Sequence, residues 1–390
     1  MVGRFSKYNA FMKILLVGEY SRLHNSLKEG LTALGHEVTI IGSGDYFKNY
    51  PVDIKLNRKY NSGFAKKWKV LLFMFFKIDL AAENIKKQFF RHSEKLKGYD
   101  VVQLINESPL GVTPKIEKEV VSFLAKHNKK LFLLSCGTDY ISVKYAYDKK
   151  FRYSILSPLF DGKVSEKEFD PVLKYIQPKF KSLHEFVFQH ISGVIATDMD
   201  YHIPMKGHPL YLGLIANPIN TEKLQYIPFS VEEKIVIFHG INRSNYYKKG
   251  SDYFDAALSK LKEMYADKVE IITVESVPYA EYIELYNKAH IVLDQVLGFD
   301  QGYNALEAMA KGKVVFTGAE KEFVEYYNLE KPVVVNALPD AQAIYKDLEQ
   351  LILNPLKITE ISKNAREFIE KEHHYIRIAE KYVETWKAQL

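Results

Sequence analysis

The run Asp300-Gln301-Gly302-Tyr303-Asn304-Ala305-Leu306-Glu307-Ala308-Met309-Ala310-Lys311-Gly312 carries the residue types of a phosphate-binding helix start. Gly302 allows a close approach where the helix begins, Lys311 falls in its last turn and Gly312 suits the left-handed cap. Helical side chains lean toward the N-terminus, so Glu307, about one turn in, brings its carboxylate to the helix mouth. Ribose hydroxyls would be recognised there, while phosphates would meet the exposed N–H groups of Gly302, Tyr303 and Asn304. The same residues also fit a capped, buried helix with one exposed glutamate, and residue types alone leave both open.

Three further loops follow strand-like runs. His239-Gly240-Ile241-Asn242-Arg243 leads through Ser244 and Tyr247 to Lys248-Lys249-Gly250, gathering three cations ahead of a helix. Val274-Glu275-Ser276-Val277-Pro278-Tyr279 is a strand end entering a helix, or a plain turn with proline in the first helical turn. Near the start, Gly18-Glu19-Tyr20-Ser21 follows the first strand, and Asn106-Glu107 and Cys136-Gly137-Thr138-Asp139 follow later ones. Asp139 suits either orientation of a reacting hydroxyl or an N-cap. The twelve histidines offer no metal site: His373 and His374 are adjacent and point apart on a helix, and His36 is expected to be structural.

The elements that must position these loops alternate between strand and helix. Strands are expected at Lys13–Val17, Val38–Ile41, Val101–Ile105, Leu131–Ser135 and Val194–Thr197, with helices at Ser21–Leu34 and Pro114–His127. Pro204, Gly207, Pro209, Gly213, Pro218 and Pro228 interrupt that rhythm and read as loops and a domain connection. It restarts with strands Ile235–Phe238, Val269–Val274, Ile291–Asp294, Val314–Thr317 and Pro332–Val335, with helices Gly250–Tyr265, Tyr279–Lys288 and Tyr303–Lys311 between them. The expected fold is α/β, with two Rossmann-like doubly wound domains facing a central cleft. The domains are expected at 1–217 and 218–372, with residues 373–390 crossing back as a helix to the first.

A chain of 390 residues suits two domains, and 47% apolar against 26% charged residues is a globular balance. Cys136 is the one cysteine, which excludes a disulfide framework and a cysteine-based zinc cluster and suits a cytoplasmic protein. No secretory signal is expected, and the longest apolar run, Val70–Phe76, is too short to span a bilayer. Charge is uneven: Lys55–Lys97 holds twelve Lys/Arg against Asp79, Glu83 and Glu94, a local +9 in a chain of net +6. With aromatics among them, residues 55–97 are expected either to touch an anionic membrane peripherally, on its inner face, or to form an amphipathic surface helix. Nucleic acid is not an expected partner, because no recognition module accompanies the block.

Gly302-Tyr303-Asn304-Ala305-Leu306-Glu307-Ala308-Met309-Ala310-Lys311-Gly312-Lys313-Val314-Val315 resembles the donor-site signature of family 4 glycosyltransferases, which have the GT-B fold. The Arg243 loop with Lys249-Gly250 resembles the family's Gly-Arg loop followed by Lys-Gly, and Asn217-Pro218-Ile219-Asn220 its Asn-Pro-Ile-Asp hinge. Ile291–Gln295 resembles the strand and Asp-Gln step of one branch. The family pattern has a second glutamate eight residues before Glu307; Phe299 stands there, beside Asp300, and Val314 replaces the proline.

The resemblance implies a retaining, metal-independent transferase that needs no cofactor. Arg243 and Lys249, or Lys248 in its place, would neutralise the donor diphosphate, and Glu307 would hold the ribose. Gly240, Asn242, Val277, Asp300, Gly302, Tyr303 and Asn304 would complete the donor site. Gly18, Glu19, Tyr20 and Asn106 would lie on the acceptor side, with Asp139 orienting the acceptor hydroxyl. The donor would be a UDP- or GDP-sugar and the acceptor a glycan or lipid-linked molecule, in surface polysaccharide or glycolipid synthesis. Two alternatives share the cleft: a sugar-nucleotide 2-epimerase, which needs extra carboxylates around the sugar, and a non-catalytic nucleotide- or glycan-binding protein. A nicotinamide-dependent oxidoreductase is disfavoured, since Gly42-Ser43-Gly44 lacks the third glycine of the dinucleotide fingerprint.

Overall fold

The structure, a computed structural model, describes residues 11–45, 49–59, 75, 79–228, 234–275, 277 and 279–390. Strands β1 (Lys13–Val17), β2 (Glu37–Gly42), β3 (Ile54–Lys55), β4 (Val101–Leu104), β5 (Lys130–Ser135), β6 (Gly193–Ala196) and β7 (Tyr211–Leu214) form one sheet. Its order is β3-β2-β1-β4-β5-β6-β7. A second sheet contains β8 (Ile235–Ile241), β9 (Val269–Glu275), β10 (Ile291–Leu293), β11 (Val314–Thr317) and β12 (Val335–Asn336), in the order β12-β11-β10-β8-β9. Every strand pair in both sheets is parallel.

Helices cover both faces, so the central strands are apolar throughout rather than alternating: β4, β10 and β11 are fully buried. Two apolar clusters flank each sheet, and a smaller one forms within the helical segment between β5 and β6, around Phe169, Leu173 and Leu156.

The Tyr375–Lys387 helix lies on the first domain, against the Leu23–Ala33 helix. Gly30 makes that crossing possible, because a Cβ there would stand 2.3 Å from the carbonyl oxygen of Tyr375. At the far end Trp386 is fully buried and donates to Gln103 Oε1 at 3.1 Å. The chain enters this helix through a parallel bridge between Ile219 and His374, so outgoing and returning connections run side by side.

Two strands lie outside the sequence expectation. Tyr211–Leu214 falls in the stretch expected to be connection, yet it is the edge strand of the first sheet. Gly213 has φ 111° beside the bulge in its pairing with β6, so the glycine marks a bulge in a strand. The two-residue β3 is too short to leave a periodic signal. The last strand also begins later than expected, at Val335 rather than Pro332.

Candidate functional site

Strand order locates the clefts. In each sheet the winding reverses beside one strand, between β1 and β4 in the first and between β8 and β10 in the second. Ligands of open α/β sheets bind beyond the carboxyl ends of strands at such points. The loops there are those singled out by residue type: Gly18–Ser21 and Asn106–Glu107 in one sheet, His239–Gly250 and Asp294–Gly302 in the other. The two edges face each other across short contacts. Tyr303 Oη lies 2.6 Å from Ser26 Oγ and donates to the carbonyl of Pro218 at 3.0 Å. The backbone N–H of Met199 donates to Asp300 Oδ2 at 2.9 Å.

On the second-domain side the Tyr303–Ala310 helix starts at Gly302 with no side-chain cap, leaving its first-turn N–H groups without a side-chain acceptor. Asn304 is exposed and Glu307 half-buried at this mouth. Gly302 has φ −72°, and a Cβ there would touch Asp294 Oδ2 only at 3.9 Å. The protein itself therefore does not require glycine at 302; its smallness leaves space above the helix. Tyr303, expected in the donor site, spends its hydroxyl on the domain interface instead.

Lys249 Nζ lies 2.8 Å from Asp294 Oδ1, whose side chain is only 7% exposed. Gly250 beside it needs its left-handed φ of 70° and its missing Cβ, which would stand 2.7 Å from Val296 Cβ. The exposed Arg243 pairs with Glu275 at 2.7 Å and lies over the Tyr246 ring. Asn242 caps the turn after it by accepting from Ser244 N, and Gly240 makes room for the Tyr282 ring. Both cations thus hold single carboxylate partners that an incoming diphosphate can displace or share. Lys248 is half-buried, which lowers its pKa. Val277 packs on the adjoining apolar cluster, while Ser276, Pro278 and the Tyr279 side chain lie outside the described residues.

The first-domain side is built of buried polar groups. Gly18, at φ 88°, lies so close to Ile105 that a Cβ would meet its Cγ2 at 2.3 Å. Glu19 Oε2 accepts from Asn25 N at 2.8 Å and from Asn25 Nδ2 at 2.5 Å, whereas Oε1 has no partner among the described residues. Burial outweighs those bonds and pushes its pKa up to about 7. His24 Nδ1 donates to the Gly18 carbonyl at 2.7 Å, and burial lowers its pKa to about 4, so the ring is neutral. Tyr20 is half-buried beside this loop.

Asn106 and Asp139, expected to meet the acceptor, are occupied elsewhere. Asn106 Nδ2 donates to the carbonyls of Cys136 and Thr138 at 3.0 and 2.9 Å, and Oδ1 accepts from Ser108 N, so it braces two loops. Asp139 caps the Tyr140–Tyr147 helix by accepting from Ser142 N at 2.7 Å and also accepts from Ser135 Oγ. Of its two sequence readings, the N-cap is what the geometry contains.

Three groups escaped sequence reasoning. Glu107, its pKa raised by burial, lies 2.7 Å from His184 Nδ1, and Tyr140 stacks on that imidazole at 4.6 Å. Asp198, Asp200 and Asp300 bring carboxylate oxygens within 4.8 Å of one another across the domain boundary. Burial and mutual repulsion raise all three pKa values, Asp200 to about 7, so the cluster retains protons at neutral pH and is a poor cation cage. Asp300 therefore belongs to an interdomain acid cluster, not to the place of the missing glutamate. Arg152, with Tyr153, reaches from the first domain to Glu320 and Glu322 of the second. These groups meet only through tertiary structure, and no spacing along the chain signals them.

Two parallel doubly wound domains with opposed switch points define a GT-B protein. Residues 247–384 match the family model described as glycosyl transferase-like, and that span runs from Tyr247, ahead of the Lys249 loop, through the Glu307 helix. No curated protein matches the chain by sequence. Among solved structures, it resembles sucrose-phosphate synthase from Thermosynechococcus elongatus at 16% identity and TM-score 0.61, covering 97% of this chain and 98% of that one. Anabaena HepE in complex with UDP and glucose matches at 15% identity and TM-score 0.58, covering 97% and 100%. WaaG, a glycosyltransferase involved in lipopolysaccharide biosynthesis, matches at 13% identity and TM-score 0.53, covering 96% and 99%. Fold and family match together place the chain among the GT-B glycosyltransferase-like proteins. No helix among the described residues is long and apolar enough to cross a membrane.

Proposed function

We propose that this protein transfers a sugar, with retention of configuration, from a UDP- or GDP-linked donor to a glycan or lipid-linked acceptor in surface polysaccharide or glycolipid synthesis. The observation that carries this reading is the convergence of the Arg243, Lys249 and Glu307 loops at the switch point of the second sheet. The departing diphosphate gains charge as the glycosidic bond breaks. Arg243, Lys249 and the first-turn N–H groups at Gly302–Asn304 are fixed positive groups aimed at that charge, and they serve without a metal. Glu307 takes the ribose hydroxyls, and backbone groups near Val277 read the base. The acceptor enters over Gly18–Tyr20, where the unpartnered Oε1 of Glu19 and Nε2 of His24 are available to hydroxyl groups.

Likeness to a UDP- and glucose-bound protein supports a nucleotide-sugar donor. The protein acts in the cytoplasm, with residues 55–97 resting on the anionic inner face of the membrane; positions 60–74 and 76–78 of that block lie outside the described residues. Binding to liposomes should require anionic lipid and fade with added salt.

The Asp198, Asp200 and Asp300 cluster favours one rival, a sugar-nucleotide 2-epimerase, because that chemistry needs carboxylates around the sugar. One assay separates the two. Incubation with a panel of UDP- and GDP-sugars and a lipid-linked or oligosaccharide acceptor should release nucleoside diphosphate and form a product with the donor's anomeric configuration. An epimerised nucleotide sugar formed without acceptor would replace this reading by the rival.

A further inference from the structure

We propose that Glu320 supplies the carboxylate that position 299 lacks, held in place by Arg152 and Tyr153 of the first domain, so that the sugar subsite is complete only across both domains. The inference rests on the nucleotide-sugar reading above.

Phe299 is 2% exposed and its side chain has no polar atom to offer a sugar. The first domain covers it: Phe151 lies 4.9 Å and Tyr153 5.4 Å from its ring, and the Arg152 guanidinium lies 4.8 Å from its centroid. The neighbouring loop supplies what the phenylalanine cannot. Strands β10 and β11 are parallel neighbours, so the loops leaving their carboxyl ends run side by side. They touch closely enough that a Cβ on Gly318 would stand 2.3 Å from the Gly298 carbonyl oxygen. Glu320 N then donates to the Phe299 carbonyl at 3.0 Å, which sets the Glu320 backbone directly beside position 299.

The Glu320 carboxylate is held and charged. Arg152 Nη2 donates to Oε2 at 2.6 Å, and the Tyr153 hydroxyl and Asn336 Nδ2 (3.1 Å) donate to Oε1. These donors outweigh burial and keep its pKa below the ordinary carboxylate value. A hydroxyl already seated on this oxygen shows the geometry that a sugar hydroxyl would adopt in its place. Arg152 also takes both oxygens of Glu322, at 2.6 and 2.8 Å, so it stays anchored to the second domain when Glu320 turns to a ligand. Asp300, the nearer carboxylate in sequence, cannot serve, since it accepts from Met199 N inside the acid cluster. Arg152 and Tyr153 are positioning residues; Glu320 is the group that would touch the sugar.

Titration calorimetry on the full chain and on Glu320→Gln, Arg152→Ala and Tyr153→Phe tests this, with UDP against UDP-glucose, UDP against UDP-N-acetylglucosamine and GDP against GDP-mannose. The readout is the ratio of nucleotide-sugar affinity to free-nucleotide affinity, which a merely structural clasp would not move. Glu320→Gln and Arg152→Ala should lower the ratio for the preferred sugar at least about tenfold while nucleotide affinity changes less than about twofold. Tyr153→Phe, which deletes one hydroxyl and keeps the fold, should shift the ratio in either direction by about threefold or more, because it frees the same oxygen. Unchanged ratios in Glu320→Gln and Tyr153→Phe, or a proportional loss of both affinities, overturn the assignment and leave the donor reading standing. If the wild type binds none of these nucleotides or nucleotide sugars, the donor reading fails and this inference falls with it.

Discussion

The two faces of the cleft hold their polar groups in opposite ways. On the second domain Arg243 and Asn304 are exposed, Lys249 is half-buried, and each cation has a carboxylate partner that a ligand can replace. On the first, Glu19, Asn106, Glu107 and Asp139 are each less than 9% exposed and largely committed to internal hydrogen bonds. A charge kept near water is cheap to hold and free to meet an anion, whereas a buried polar group must be satisfied internally or shift its pKa. The second domain thus presents ready-made anion chemistry, and the first presents a braced surface with two unpartnered atoms.

That contrast breaks most visibly at Lys249. Lys249→Ala should lower donor-dependent turnover by about 10²–10³-fold, as expected for a fixed group facing developing charge. It should also destabilise the fold, because Asp294 is left buried without its cation. The double variant Lys249→Ala/Asp294→Asn should recover the melting temperature but not the turnover. Recovery of both would make the pair structural and erase the difference between the two faces.

Next in size is the pH response of the first domain. The folded-state pKa of Glu19 is raised to about 7 from 4.5, so the folded protein binds more protons than the unfolded chain between those values. Its contribution is fully present below pH 4.5 and is lost as pH rises through about 7. Glu19→Gln removes this dependence. Denaturant unfolding should show the variant gaining roughly 1–3 kcal/mol on wild type between pH 5 and pH 8. An equal difference at both pH values would mean that Glu19 is solvated in the folded state.

The smallest effect concerns the contact joining the faces. Tyr303→Phe deletes a hydroxyl that meets Ser26 Oγ and the Pro218 carbonyl, and it should cost about 1 kcal/mol of stability while leaving nucleotide affinity unchanged. Loss of nucleotide affinity would return Tyr303 to the donor site.

How much of this could be read in the sequence follows from locality. The donor loops were legible because each is one strand end, one turn and one helix start within about a dozen residues, where residue type maps directly onto backbone geometry. The Lys13–Val17 strand, the Pro114–His127 helix and the Val314–Thr317 strand occur at the bounds their patterns give. Tyr211–Leu214 was hidden because a bulge glycine and flanking prolines mimic a connection. Glu107 with His184 and Arg152 with Glu320 and Glu322 were invisible because their partners are 77, 168 and 170 residues apart. Asn106 and Asp139 were in the right loops, but side-chain direction, which the sequence does not encode locally, turned both inward.

The central claim is that the second-domain loops bind a nucleoside diphosphate through Arg243. Because Arg243 is exposed and paired only with Glu275, its replacement spares the fold and isolates its effect on the ligand. The most direct measurement is calorimetric titration of UDP and GDP into wild type and Arg243→Ala, with melting temperatures taken in parallel. The expected result is saturable binding of one nucleotide to the wild type, weakened at least about tenfold in the variant at an unchanged melting temperature. Equal affinity in both proteins, or no binding of either nucleotide to the wild type, would contradict it.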